Sequence, residues 1–481
     1  MRRPEDAPWR RIGFAFVFVC ITTWLSGLMH GQEPAIHSIN RHILAEMRRQ
    51  QIPGMSVAIL RGNQVLLARG YGFSNVELRV PASDSTVYQS GSVGKQFTAT
   101  AVLMLAEQGR LRLDDKIVKY LPEGAGVWDA ISVRHLLTHT SGVSEYTDST
   151  FDYRKDYSED QLVRFAASRA LDFAPGHRWA YSNTGYLLLG ALIRRATGRF
   201  YGDVLQDLIF SPLGMQTARV ISEADIVPHR AAGYRLIQAG IKNQEWVAPS
   251  LNTTADGSLY FSINDLTKWA VSLNNGRIPG AAALRTAWSP ARLNDSGLYP
   301  YGFGWDLTPQ RGHQRIGHTG SWQGFKTAIY RYPEFKLTVI ALTNLAQSEP
   351  GPIAQGVAGV LEPALRPPHH LARPLRSPQP PLPIGSLLGL LASGQDTLPG
   401  TPALHRFLSS RARADLREQI ASVSSWTALG CDDVAARAMS WLAAPIQRIC
   451  YATGVGPKER VVVSVFYTGE WRAAHLDISL Y

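Results

Sequence analysis

The chain has 481 residues, 45% hydrophobic and 18% charged, with 42 Gly, 29 Pro and 3 Cys, a composition that excludes wholesale disorder, collagen, a coiled coil and a disulfide-knit scaffold. Its net charge of +11 is mostly arginine dispersed along the chain without a basic run, so it leaves no nucleic-acid footprint. At roughly 100–200 residues per domain, two or three structural units are expected.

Residues 1–31 begin with Arg2, Arg3, Arg10 and Arg11 against Glu5 and Asp6, followed by an apolar run from Ile12 to Met29. A positive flank, an apolar stretch and then small or polar residues form a signal-peptide pattern. The run at 12–29 is also long enough to span a bilayer, so an uncleaved anchor is the alternative. Either way the chain is expected to be exported, periplasmic or secreted. Cys20 lacks the small residues that precede a lipidated cysteine.

The unit 32–365 opens with strand text, Met55–Leu60 and Val65–Arg69, joined at Arg61-Gly62-Asn63 as a hairpin. A helix is predicted from Val93 to Gln108, stopped by Gly109. At its start stands Ser92-Val93-Gly94-Lys95. A lysine three residues after a serine shares its helix face and lies within reach to relay the serine proton. Among the lysines, only Lys95 has a serine at that spacing. Taken alone, the pair is equally a helix cap and a solvated lysine.

Helical text continues at Asp160–Ala170, Gly185–Ala196, Tyr201–Leu208 and Asn264–Leu273. Ahead of the second of these lies Tyr181-Ser182-Asn183. A phenol beside an ammonium loses its proton more easily, which makes Tyr181 a candidate general base, and the Asn183 amide can position a carbonyl or the lysine. The plain alternative is a helix start capped by Asn183. His318-Thr319-Gly320-Ser321 follows, ahead of strand text at Thr327–Tyr332 and Leu337–Leu342; it is read as a strand edge beside the nucleophile that could align a substrate backbone, with Gly320 allowing close approach, and the plain alternative is a turn entering a strand. The backbone N–H of Ser321 is a candidate partner for that of Ser92 in an oxyanion hole. Strands at both chain ends with helices between them predict an α/β (α+β) fold: an antiparallel sheet flanked by helices, with an inserted helical region.

The segment 366–383 is proline-dense and expected to be extended rather than packed, with His369-His370 as a solvated pair. Residues 384–481 read as a small α+β module, with helical text near Arg413–Ser422 and strands at Val461–Tyr467 and His475–Tyr481. Cys431 and Cys450 are a disulfide candidate if the compartment is oxidising, and two buried thiols otherwise.

Several features are set aside. His135 and His139 have a zinc-compatible spacing, but Leu136-Leu137-Thr138 between them supplies no glutamate, so both are expected to support the active-site loop. Ser90 stands where the nucleophile elbow of α/β-hydrolases needs glycine. Glu159 is taken as a surface helix residue. No metal and no organic cofactor is expected.

Together and in this order, the three motifs resemble the serine β-lactamase and penicillin-binding superfamily, and within it the class C-like branch that also holds D-aminopeptidases, D,D-peptidases and esterases. His135–Gly142, Pro175–Tyr186, Ser211–Met215 and Tyr301–Trp305 resemble further signatures of that branch, and the likeness runs from Ile36 to Pro363. It implies Ser92 as the acylated nucleophile, Lys95 as its proton-transfer partner, Tyr181 as general base and acid, and Asn183 as a positioning residue. His318 stands where β-lactamases usually have lysine. A neutral imidazole is a poor receptor for the β-lactam carboxylate, which points away from a dedicated β-lactamase. The implied function is hydrolysis of an amide or ester in a small-molecule or peptide substrate. The alternatives are a slowly deacylating penicillin-binding protein and a non-catalytic binding module or scaffold. The sequence names neither the substrate nor an oligomeric state.

Overall fold

The computed structural model describes residues 35–480 apart from 147–150, 372–374, 376–377, 394–398, 403, 406–417, 438, 442–443 and 457–459. The export segment, Cys20 and the first half of the Arg413–Ser422 helix expectation therefore lie outside the described residues, and 418–421 are helical as expected.

Two apolar strands joined at Gly62, β1 (Gly54–Arg61) and β2 (Gln64–Asn75), form the expected hairpin. Gly62 takes φ 57°, a conformation glycine adopts without strain. The two-residue strand β3 (Val80–Pro81) extends β2. From the other end of the unit come β4 (Ile316–Trp322), β5 (Phe325–Tyr332) and β6 (Leu337–Thr343). They form one antiparallel sheet in the order β4-β5-β6-β1-β2-β3, with β6 beside β1 in the register Met55↔Thr343 to Arg61↔Leu337. The two chain ends thus build one sheet, as predicted.

Both β1 and β6 are buried along nearly their whole length, because helices cover both faces of the sheet. Alternate residues feed different cores: Ala58 and Leu60 face one, Met55, Val57 and Ile59 the other. The second core is closed by α1 (residues 35–50) and α5 (Pro350–Leu361), through Ile39, Ile43, Ile353 and Val357. The first holds α2 (Lys95–Glu107), α3 (Asn183–Thr197) and α4 (Ile263–Asn275). Phe97 of α2 lies 4.6 Å, centroid to centroid, from both Phe261 and Trp269.

The His318 motif is part of β4, an edge strand of the sheet, as its strand-edge reading expected, and not a turn ahead of a strand. Two other expectations need correction. The proline-dense segment is packed where it leaves α5: Pro367 and Pro368 are buried. A Cβ on Gly359 would lie 2.7 Å from Arg366 Cα and 3.1 Å from Pro367 Cδ, so that glycine admits the chain against the helix. Of the expected solvated pair, His370 is exposed but His369 is half-buried. Their rings lie 4.1 Å apart, His370 meets His42 edge-on, and burial pushes His369 down to about 3.

Strands β7 (Trp426–Asp433), β8 (Arg448–Val455), β9 (Arg460–Tyr467) and β10 (Ala473–Leu480) form a second antiparallel sheet in that order. Helix α6 (Ile384–Ser393) packs on it through Leu387, Leu388 and Leu391. The same apolar cluster takes in Leu293, Tyr299 and Tyr301, so the C-terminal sheet shares its core with the larger unit. Arg311 reinforces the contact with a two-pronged bond to Asp432, at 3.0 and 2.7 Å.

Cys431 and Cys450 pair directly across β7 and β8 and form a disulfide between residues 19 apart in sequence. Closing a loop of that size restricts the unfolded chain by about 3 kcal/mol. Replacing both cysteines with serine is expected to lower the unfolding free energy of this sheet by that amount in urea titration. A change within error would show that the crosslink adds nothing.

Candidate active site

The nucleophile turn Gly91–Gly94 is a 3-10 turn that runs straight into α2. Ser90 anchors it: its hydroxyl donates to the Gly257 carbonyl at 2.8 Å, and its own carbonyl accepts from Thr327 Oγ1 at 2.6 Å. Strand β4 lies hard against the turn. A Cβ on Gly320 would fall 2.1 Å from Ser90 O and 2.8 Å from Ser92 N, and one on Gly91 would fall 2.2 Å from Ser321 N. Glycine is required at both positions for the strand and turn to touch. That contact brings the Ser92 and Ser321 backbones to one side of a cleft of about 470 Å³.

Lys95 projects from the first turn of α2 and is fully buried. Its Nζ donates to Ser92 Oγ at 3.0 Å, Asn183 Oδ1 at 2.8 Å and the Asp256 carbonyl at 2.5 Å. Three acceptors match the three protons of an ammonium, so the group is held in a fixed position beside the serine. Asn183 is the first residue of α3. The cap is Ser182, whose hydroxyl accepts from Gly185 N–H at 3.1 Å, which frees the Asn183 amide to point at Lys95. The Asn183 N–H donates to Glu145 Oε2 at 2.7 Å. Burial raises the Glu145 carboxyl above its ordinary value, against the opposing pull of that N–H.

Tyr181 is 37% exposed and lines the cleft. It meets Lys95 through its ring, with Nζ 5.0 Å from the centroid. His139 backs the same ring at 4.3 Å and accepts from Ser182 N–H at Nδ1, 3.1 Å. His135 instead closes a capping box with Ser132. The two histidines support the loop, as expected, and do not converge.

His318 is buried between Tyr301, whose hydroxyl donates to Nε2 at 2.8 Å, and the Thr319 carbonyl, which accepts from Nδ1 at 2.5 Å. Burial, with help from the Lys95 charge, pushes the imidazole down to about 4. At pH 7 it is neutral and offers no cation to a carboxylate.

His475 is likewise pushed to about 4 by burial. The sign follows directly. Between pH 6.5 and 4 the unfolded chain binds protons that these folded histidines refuse, so stability falls as pH drops through that window. Each group contributes on the order of 3 kcal/mol. Urea midpoints are therefore expected to fall from pH 7 to 4, and His318→Asn to flatten that slope. An unchanged slope would mean that His318 titrates normally.

Sequence reasoning foresaw the Ser92–Lys95–Asn183 convergence but missed four groups around it. The Asp256 carbonyl is the third lysine acceptor, and its carboxylate accepts from Tyr146 Oη at 3.1 Å. Glu145 and Tyr146 come shortly after the His135–Gly142 signature, past Val143 and Ser144, which is the one signal that pointed to them. Tyr301 stood inside a quoted signature without a role.

A serine fixed beside a buried lysine, on a helix packed against an antiparallel sheet, defines an enzyme of the serine acyl-transfer class. A family model described as Beta-lactamase matches residues 39–359, and the chain belongs to that family of serine hydrolases. It is similar to Penicillin-binding protein 4* of Bacillus subtilis, 29% identical over 307 residues, which are 60% of this chain and 67% of that protein. It is also similar to a D-aminopeptidase of Gluconobacter oxydans, 28% identical over 320 residues, 64% of this chain and 59% of that one. The chain thus spans about two thirds or less of these relatives. Among solved structures, an octameric penicillin-binding protein homologue from Pyrococcus abyssi superposes with a TM-score of 0.61 at 22% identity, covering 93% of this chain and 98% of that one. A D-stereospecific amidohydrolase from Streptomyces sp. gives 0.57 at 25% identity, covering 66% and 97%.

Proposed function

We propose that the chain is an exported serine hydrolase that cleaves an amide or ester of a D-amino-acid-type substrate through an acyl-enzyme at Ser92. The observation that carries this reading is the Lys95 ammonium bridging Ser92 Oγ and Asn183 Oδ1. In the proposed cycle the Lys95 ammonium holds Ser92 Oγ, which attacks the carbonyl carbon while Tyr181 Oη, as general base, takes its proton. The N–H groups of Ser92 and Ser321 receive the oxyanion. The proton then goes to the departing amine or alkoxide as its bond to carbon breaks. Water attacks the acyl carbon, and the proton it loses restores Ser92 Oγ–H.

Two points favour an amide or ester without a carboxylate over a β-lactam. The neutral His318 replaces the expected cation. Lys326, which lines the cleft, is paired with Glu349 at 3.6 Å. Export is supported by the N-terminal sequence pattern and fits the Cys431–Cys450 disulfide, which an oxidising compartment preserves.

The test is a turnover panel of nitrocefin, p-nitrophenyl acetate and D-alanine p-nitroanilide, with Ser92→Ala as blank. The ester or the nitroanilide is expected to be cleaved only by the unmodified serine. No turnover of any of them would move the reading to a scaffold.

A further inference from the structure

Residues 254–257 belong to no helix or strand, yet each of their four carbonyls accepts a hydrogen bond from a side chain. Gly257 O takes one from Ser90 Oγ at 2.8 Å, and Asp256 O takes one from Lys95 Nζ at 2.5 Å. Ala255 O takes one from Thr98 Oγ1 at 2.7 Å, and Thr254 O takes one from Tyr201 Oη at 3.0 Å. As the donors advance from Ser90 through Lys95 to Thr98, the acceptors step back from 257 to 255. The segment thus runs antiparallel to the nucleophile turn and the first turn of α2, one carbonyl to each donor. Lys95 and Thr98 stand three apart on α2 and so share the helix face that meets it. Tyr201 opens the short helix Tyr201–Leu205 and holds the far end.

The fit is close on both sides. Gly257 takes φ 152°, and a Cβ there would fall 2.4 Å from Gly91 O. A Cβ on Gly190 of α3 would fall 2.5 Å from that of Ala255. Thr254 O and Gly257 O also accept backbone N–H groups, from Ser258 at 3.3 Å and Leu259 at 3.0 Å. The two middle carbonyls take no backbone donor among the described residues. Their positions therefore depend on Thr98 and Lys95. Thr98 and Tyr201 are fully buried and do not line the cleft, whereas Thr254, Asp256 and Gly257 do.

A carbonyl is a neutral acceptor, and it can orient an ammonium only as firmly as it is itself held. Without the Thr98 hydroxyl, Ala255 O is a buried acceptor with no donor, and the segment relieves that by moving. Asp256 O, the next carbonyl along, moves with it and no longer fixes Lys95 beside Ser92.

We propose that residues 254–257 form a strap that fixes the Lys95 ammonium, and that Thr98 and Tyr201 are positioning residues acting on Lys95 through it. The inference rests on the reading of Ser92 as the nucleophile.

Two measurements test it. Thr98→Val removes the hydroxyl at nearly constant shape, while Thr98→Ser keeps the hydroxyl and drops the methyl. With a fluorophosphonate as probe, the maximal rate of Ser92 modification is expected to fall about tenfold in Thr98→Val and to stay within about twofold in Thr98→Ser, with the half-saturating concentration little changed. Tyr201→Phe, two carbonyls from Asp256, is expected to lower that rate about threefold. A packing role would reverse the order, because only serine loses the methyl. A loss in Thr98→Ser as large as in Thr98→Val therefore overturns the proposal, and an unchanged rate in Thr98→Val or Tyr201→Phe overturns the assignment of that residue.

The second measurement needs no reacting serine. In Ser92→Ala, hydrogen exchange of the Ser258 and Leu259 amides is expected to quicken about tenfold when Thr98→Val or Lys95→Met is added, and not with Thr98→Ser. That result supports the strap even if the fluorophosphonate leaves the unmodified protein unlabelled, an outcome that counts against the nucleophile reading alone. Unchanged exchange in both variants overturns the strap and leaves the nucleophile reading standing.

Discussion

Lys95→Met is expected to lower kcat by about 10^4 while leaving the fold intact. Methionine matches the length of the lysine stem, and α2 keeps its apolar contacts with Phe261 and Trp269 through Phe97. The change removes the group that donates to Ser92 Oγ, Asn183 Oδ1 and the Asp256 carbonyl at once. Ser92 then loses its proton partner, and Asn183 loses the charge that orients its amide toward the cleft. Because the lysine acts on the reacting serine, the loss belongs in kcat more than in KM. Single-turnover acylation by p-nitrophenyl acetate checks it, with circular dichroism and a melting curve as controls for folding. A loss below about tenfold would mean that Ser92 is activated by another group.

Gly320→Ala is expected to reduce kcat by about 10^2 and to destabilise the protein by on the order of 2 kcal/mol. The added methyl would meet backbone atoms, Ser90 O at 2.1 Å and Ser92 N at 2.8 Å, and backbone cannot rotate aside as a side-chain tip does. Either β4 moves off the nucleophile turn or the turn opens, and both separate the Ser92 and Ser321 N–H groups. Gly280→Ala is the matched control, since a Cβ there meets nothing within 4 Å. If the two variants behaved alike, the close approach of strand and turn would have no catalytic weight.

The sheet was legible where its strands are short apolar runs punctuated by glycine or charge, as in β1, β2, β5 and β6. Strand β4 was less legible, with a turn as its alternative. Gly317 and Gly320 lower its strand signal, yet both are there because neighbours come close: a Cβ on Gly317 would lie 2.4 Å from Ile329 O. The same logic hid the packed prolines, since low backbone hydrogen-bonding capacity reads as a linker while the Pro367 ring comes up against Gly359 and Pro368 is buried. In the site, Ser92, Lys95, Tyr181 and Asn183 announced themselves by type and spacing. The Asp256 carbonyl could not, because a backbone acceptor has no residue signature. Nor could the place of β10 on the wall of a cavity beside the site, which depends on how two units dock. Its residues Leu476 and Ile478 read in sequence as ordinary strand text.

The central claim is that Ser92 forms a covalent acyl-enzyme, and intact-protein mass spectrometry after brief exposure to a fluorophosphonate or penicillin tests it most directly. The account predicts a single adduct on the unmodified protein, mapped to the peptide that holds Ser92, and none on Ser92→Ala. Equal labelling of the two proteins would contradict it.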